Sequence, residues 1–389
     1  MLTHDDEWRR DRMNRFFVNE AAKRTSNDFS RPTPNPTPFH QSMPGYEPAP
    51  LVRAAELARR LGVAELLIKD LAHCLGLPAF KIMGASWAVN CAISDRLGLP
   101  PASTFAKLLE RARSLRHLKL VTATDGNHGR AVAHMAALLH LGAVIYVPSG
   151  TTRVRSQAIA QEGARVETVQ GTYDDAVARV AQEADESCII VSDTSWPGYE
   201  KTPRAVIDGY STILHEIDEQ LDRLGAAQPD TVLVQCGVGA FAAAVGMHYQ
   251  SEARPSLIAV EPSDAACMME ALAAGKIVSV RGPHRSIMAG LNCGTLSLVA
   301  WPILASTFDL CLTVDDAQAR EAMRLLADAG VESGESGSAG LAGLLALRST
   351  PELSGLRKRF RIGASSNVLV FSTEGATDLE AYAQIVDHR

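Results

Sequence analysis

An α/β fold built on parallel sheets is predicted for this chain by two observations. Short runs rich in Val, Ile and Leu alternate with segments of helical period along most of the 389 residues. The runs are nearly continuous in apolar residues, as strands covered by helices on both faces require.

Residues 1–50 are expected to be an irregular lead-in, because Arg31 to Pro50 is proline-rich and cannot sustain a helix. A helix is expected over Leu51–Gly62 and a short strand over LLIKD. Strands then fall on LKLVTA (Leu118–Ala123), AVIYVP, ARVETVQ and CIIVSD, with helices GRAVAHMAALLHLG, TTRVRSQAIAQEG and TYDDAVARVAQEAD between them. TVLVQCG, SLIAVEP and NVLVFST repeat the strand type, separated by the helices GAFAAAVGMHYQ and DAACMMEALAAG. No repeat of solenoid period is present.

A composition of 46% hydrophobic and 21% charged residues is that of an ordinary globular chain. The net charge of −6 argues against nucleic-acid binding, and no stretch is long and apolar enough to span a bilayer. The charged start, MLTHDDEWRRDRMNRFF, lacks the apolar core of a signal peptide, so a cytoplasmic address is expected. The seven cysteines form no CxxC pair, and no histidine spacing calls for a metal.

Doubly wound sheets bind ligands at the carboxyl ends of their strands, so the loops there are where chemistry is sought. In PAFKIMGAS, Lys81 precedes a helix expected to begin near Gly84–Ala85. The positive potential of a helix N-terminus favours a neutral amine, which imine formation requires. Taken alone, such a lysine is usually an ordinary surface residue. In TATDGNHGR, a strand runs into the turn Asp125-Gly126-Asn127-His128. Its N–H groups, with Thr124, suit a substrate carboxylate, though Asp and Asn are also plain turn and cap residues. In QCGVGAFAAAVG, the turn Gly237-Val238-Gly239 opens a small-residue helix through Ala240 and Phe241. It lacks the Gly-Lys-Ser/Thr of a nucleotide loop and the spacing of a dinucleotide one, so a monophosphate is the better fit. In VFSTEGATD, Ser372 or Thr373 offers a hydroxyl to a heterocycle nitrogen.

In this order, from about Pro48 to Asp378, the loops resemble the fold-type II pyridoxal 5′-phosphate enzymes, the family of tryptophan synthase β, threonine dehydratase and serine racemase. The resemblance implies two doubly wound sheet domains with the cofactor in the cleft between them. Lys81 is then the lysine joined to the cofactor as a Schiff base, with Phe80 beside the ring and Asn127 facing the ring hydroxyl. Gly237–Phe241 is the phosphate cup, and Ser372 or Thr373 faces the pyridine nitrogen. ESGESG supplies Glu335 and Ser336 beside the cofactor.

Within that family, FKIMGAS, TATDGNHGR, SDTSWPGYEKTP, IMAGLNCG, ESGESG and FSTEGATD are most similar to the diaminopropionate ammonia-lyases. The implied reaction is elimination of 2,3-diaminopropionate to pyruvate and two ammonia, a carbon–nitrogen lyase activity in amino-acid catabolism. A serine or threonine dehydratase, or a β-replacement enzyme, is the alternative. Against it, Asp125 stands where dehydratases and racemases carry serine. An alkyl amine leaves only if protonated, and Asp125 and Asp193 can recognise its ammonium form. Lys81 can serve one enantiomer's Cα proton only, so Asp125 or Asp193 is expected to serve the other. Asp125, Gly126, His128, Asp193, Thr124 and Tyr199 are the expected substrate contacts, with Lys201 near the entrance; capping and packing roles compete for Asp193, Tyr199 and Lys201. His128 reads better as a turn residue than as a base. The resemblance also matches Cys267 and Cys293 to cysteines of these lyases, where a cytoplasmic address favours free thiols over a disulfide. It implies a homodimer. The expected domains are 51–85 plus 195–389, which is the larger, and 86–194.

Overall fold

The computed structural model describes residues 14–22, 29, 31–183, 185–251 and 253–387. Its strands in chain order are β1 (Phe16–Val18), β2 (Leu51–Arg53), β3 (Glu65–Asp70), β4 (Lys119–Ala123), β5 (Gly142–Pro148), β6 (Arg165–Val169), β7 (Cys188–Ile190), β8 (Thr231–Gln235), β9 (Ser256–Pro262), β10 (Leu310–Val314) and β11 (Asn367–Ser372).

They form two sheets, as the alternating pattern predicts. One has seven strands in the order β1-β10-β9-β8-β11-β3-β2, and the other four in the order β6-β5-β4-β7. The central strands of the larger sheet and all of the smaller one are parallel. Among the described residues, only the edge strands β1 and β2 run antiparallel. β8, β9 and β10 are buried along their whole length, which is why they read as unbroken apolar runs.

Three local expectations are corrected. Leu51–Gly62 is not one helix: β2 occupies its start, and the helix is Ala55–Leu61. The strand forms because a sheet edge is open to Leu51–Arg53, a tertiary opportunity that overrides helical pattern. The lead-in is not wholly irregular. Phe16–Val18 pairs with β10, and Thr37–Gln41 is a short helix; residues 1–13 of that lead-in lie outside the described residues. The helix expected near Gly84 begins at Lys81 and runs to Arg96, straight through the expected domain boundary at residue 85.

That helix packs against the long helix Lys201–Leu224. Their contact is close because a Cβ on Gly84 would stand 2.6 Å from the Tyr210 ring, and one on Gly209 would stand 2.5 Å from the Met83 carbonyl oxygen. A buried ion pair ties the long helix to the larger sheet. Lys69 Nζ donates to Glu216 Oε2 at 2.7 Å, to the Ala49 carbonyl at 2.6 Å and to Gln220 Oε1 at 2.9 Å.

Candidate active site

The carboxyl ends of β3, β4, β7, β8 and β11 converge on one cavity. After β3 the chain returns along the end of β11: Phe80 N donates to the Thr373 carbonyl at 3.2 Å, and Gly375 N to that of Pro78 at 3.0 Å. This short ladder delivers Lys81 at the first turn of its helix. Phe80 is fixed by Tyr210 and Phe241, at ring-centroid separations of 4.9 and 4.7 Å.

Lys81 Nζ lies 2.6 Å from Asp193 Oδ2, and Tyr173 donates its hydroxyl to Asp193 Oδ1 at 3.0 Å. Burial opposes the charged amine, but the Asp193 carboxylate, helped by Tyr210 and Asp125, outweighs it and holds Lys81 well above the ordinary lysine range. The helix N-terminus expected to favour a neutral amine is joined here by a carboxylate in contact, which favours the charged form. Asp193 is displaced the other way. Burial pushes its carboxyl up, yet Lys81 overcomes this and holds it well below the usual carboxylate range.

Asp125 lies in the turn after β4, whose shape is set by Thr124 Oγ1 accepting from Gly126 N at 2.9 Å and Gly129 N at 3.0 Å. Burial in the cleft pushes its carboxyl up to about 6, against the pull of Lys81 and Arg155. Asn127, at the start of the Asn127–Leu138 helix, donates its amide to Glu374 Oε2. Glu374 Oε1 accepts from Ser336 N at 2.9 Å, so one buried carboxylate joins the asparagine loop to the ESGESG segment. His128 Nε2 lies 2.8 Å from the Val191 carbonyl, an acceptor only, so that nitrogen carries the proton. Burial pushes the ring towards neutrality, and it braces the strand end that bears Asp193.

The turn after β8, expected from the sequence to be a phosphate cup, lines the cavity and opens a helix. Gly239 has φ of 93°, which side chains disfavour, and a Cβ there would meet Leu304 Cδ1 at 2.6 Å. The helix it opens, Ala240–His248, presents first-turn N–H groups that no helical carbonyl can satisfy.

Of the residues singled out in the sequence, Phe80, Lys81, Thr124, Asp125, Asn127, His128, Asp193, Gly237, Val238, Gly239, Ala240, Phe241, Ser336 and Thr373 line this cavity. Four do not. Gly126 packs beneath Arg155. Tyr199 accepts from Ser192 N at 3.0 Å and donates to the Ile190 carbonyl at 2.8 Å, which secures the chain before Asp193 without touching the cavity. Glu335 turns towards Arg155, 4.0 Å away. Ser372 is fully buried with its hydroxyl unpartnered among the described residues, while Thr373 reaches the cavity and accepts from Gln235 Nε2 at 2.9 Å. Successive side chains of a strand point to opposite faces, so the two hydroxyls cannot both face a ligand. Lys201 is exposed and pairs with Asp95 at 3.6 Å. Tyr173, Gln235 and Glu374 also line the cavity and were not foreseen, although Glu374 lies within the FSTEGATD motif. All seven cysteines are free thiols, and no cluster suited to a metal is present among the described residues.

A reactive amine, a glycine cup at a helix N-terminus and hydroxyl and amide donors suit a phosphorylated aromatic aldehyde. The family model for pyridoxal-phosphate dependent enzymes matches residues 43–359, and the chain belongs to that family. Within it, the chain falls among the diaminopropionate ammonia-lyases. It is 37% identical over 365 residues to the Salmonella typhimurium diaminopropionate ammonia-lyase, covering 90% of each chain. It is 35% identical over 358 residues to that of Escherichia coli, covering 90% of this chain and 89% of the relative. The serine racemase of Rattus norvegicus is 27% identical and covers 64% of this chain and 66% of its own. The crystal structure of the Escherichia coli diaminopropionate ammonia lyase in complex with an aminoacrylate-PLP azomethine reaction intermediate superposes with a TM-score of 0.87, at 33% identity and 96% coverage of both chains. The same enzyme in complex with D-serine gives a TM-score of 0.86 at 32% identity, again covering 96% of both chains.

Proposed function

We propose that this chain eliminates ammonia from 2,3-diaminopropionate, D and L, with pyridoxal 5′-phosphate as its cofactor, yielding pyruvate and two ammonia. The observation that carries the reading is a carboxylate, Asp125, that lines one cavity with Lys81 and makes no side-chain hydrogen bond among the described residues. An amine leaving group needs such a partner and a hydroxyl does not.

When bound, the cofactor acts as an electron sink that acidifies the substrate's Cα proton. Lys81 would hold its carbonyl carbon, the N–H groups of Gly237–Phe241 its phosphate, and Asn127 and Thr373 its ring substituents. Lys81 removes the Cα proton of the L-substrate. Asp193 is committed to Lys81 and Tyr173 and is held strongly ionised, so it is a weak base. We assign it to positioning Lys81. Asp125 makes no hydrogen bond that would tie up its side chain among the described residues, and its carboxyl near 6 suits proton transfer at neutral pH. We assign it the Cα proton of the D-substrate and recognition of the β-ammonium group. Tyr173 keeps Asp193 oriented.

A catabolic role, a cytoplasmic homodimer and the two domains 51–85 plus 195–389 and 86–194 belong to the same proposal, supported by resemblance and by the division into two sheets. Light scattering tests the dimer. The decisive assay measures pyruvate and ammonia from D- and L-diaminopropionate beside D- and L-serine. Diaminopropionate is expected to turn over more than about tenfold faster. Faster release from serine would move the chain to the dehydratases.

A further inference from the structure

Beside the catalytic cavity lies a second one of about 320 Å³, and Asp125 and Tyr173 line both. At roughly 30 Å³ per water in the liquid, its volume is about that of ten waters, far more than a departing ammonia needs. Its remaining wall includes Thr151, Arg155, His284 and Asn292. Three of these residues carry unused hydrogen-bonding capacity. The Thr151 hydroxyl and the Asn292 amide oxygen are buried with no partner among the described residues. Asn292 spends its amide nitrogen on the Ser286 carbonyl at 2.8 Å, which aims the oxygen elsewhere. The Arg155 guanidinium is only 10% exposed, makes no hydrogen bond among the described residues, and has Glu335 Oε2 4.0 Å away. Arg155 also feels Glu374, Asp125 and Asp378, so its surroundings are acidic as a whole. Of these carboxylates only Asp125 lines the second cavity.

An acidic group and a guanidinium facing one space fit a zwitterion rather than a simple anion. A group attached to the substrate's β-nitrogen has to be accommodated beyond Asp125, and the second cavity opens there. We infer that the second cavity is a leaving-group site, and that the chain also eliminates amino acids from N3-carboxyalkyl-2,3-diaminopropionates. The secondary ammonium would face Asp125, the distal carboxylate Arg155, and the remaining polar atoms Thr151 and Asn292. The proposal rests on the elimination reading above.

For the N3-carboxymethyl compound the step balances as follows. The Cα proton passes to Lys81 or Asp125 while the Cβ–N bond breaks. The electron pair of that bond leaves with the nitrogen, and the departing glycine is reprotonated to its zwitterion. Addition of one water to the remaining three-carbon unit gives pyruvate and ammonia. No oxidant or reductant takes part.

The test compares 2,3-diaminopropionate, its N3-methyl derivative and its N3-carboxymethyl derivative on the holoenzyme, following pyruvate and glycine. Glycine and pyruvate are expected in equal amounts. The carboxymethyl compound should exceed the methyl compound in kcat/KM by about tenfold, the worth of one charge-assisted contact. Arg155→Met should remove that advantage and Arg155→Lys restore part of it; Asn292→Leu serves if Arg155→Met does not fold. In cofactor-loaded Lys81→Ala protein, calorimetry should show the carboxymethyl compound binding more tightly than the methyl one. Turnover of diaminopropionate without glycine release from the carboxymethyl compound overturns the proposal and leaves the elimination reading standing. Equal losses on all three substrates in Arg155→Met also overturn it. Turnover of none of them removes the elimination reading, and the proposal with it.

Discussion

Lys81 Nζ and Asp193 Oδ2 stand 2.6 Å apart although they lie 112 residues apart in the chain. The contact joins the end of β3 in one sheet to the end of β7 in the other. It favours the charged form of the lysine and occupies one of the two aspartates that line the cavity.

Replacing Asp193 with asparagine keeps the shape and removes the charge that holds Lys81. Both enantiomers of diaminopropionate should lose about 10²-fold or more in kcat, the usual scale for a disturbed acid–base group. Steady-state assays on protein of verified cofactor content check this. Undiminished kcat for L-diaminopropionate would show that the pair has no role in catalysis.

Asp125→Asn should separate the enantiomers. D-turnover is expected to fall by about 10²-fold or more, with L-turnover reduced far less, because Lys81 remains. Equal losses would end the two-base assignment.

The same carboxyl sets a pH dependence. Asp125 must be ionised to accept a proton, and burial in the cleft places its titration at about 6. For the D-substrate, kcat/KM is expected to be level above that pH and to fall as pH drops through it. The L-substrate should lack this limb. Superimposable profiles for the two enantiomers would contradict the assignment.

Gly239→Ala should weaken the phosphate cup. The residue's φ of 93° is unfavourable for alanine, and the new methyl would press on Leu304. At about 1–2 kcal/mol of backbone strain, cofactor affinity is expected to fall by about tenfold or more. Equilibrium dialysis of pyridoxal phosphate measures it, and unchanged affinity would exclude the turn from the cup.

Away from the site, Glu216→Gln leaves the buried Lys69 ammonium without its carboxylate. Breaking a buried pair in this way costs about 3–5 kcal/mol. Urea unfolding should show a loss on that scale, and a change below about 1 kcal/mol would mean the remaining acceptors suffice.

Much of this site was legible in the chain itself. Strand-end loops are local in sequence, so Lys81, Asn127, the Gly237–Gly239 turn and Thr373 could be picked out one by one and joined through resemblance. Tyr173 was hidden because it begins an ordinary amphipathic helix, and its use depends on meeting Asp193 across the smaller sheet. Gln235 looked like the end of a buried strand, and its partners come from β11 and the ESGESG segment. Ser372 and Thr373 were equivalent until the fold turned only Thr373, just past the end of β11, to the cavity.

By itself the sequence determined the parallel α/β class, the loops that hold the chemistry and the family. Apolar periodicity, turn residues and motif order are carried by neighbouring positions. Only the tertiary structure decided that Lys81 meets Asp193, that Asp125 lines the same cavity, and that Arg155 borders a second cavity beside it. Those properties arise from burial and from contacts between distant residues.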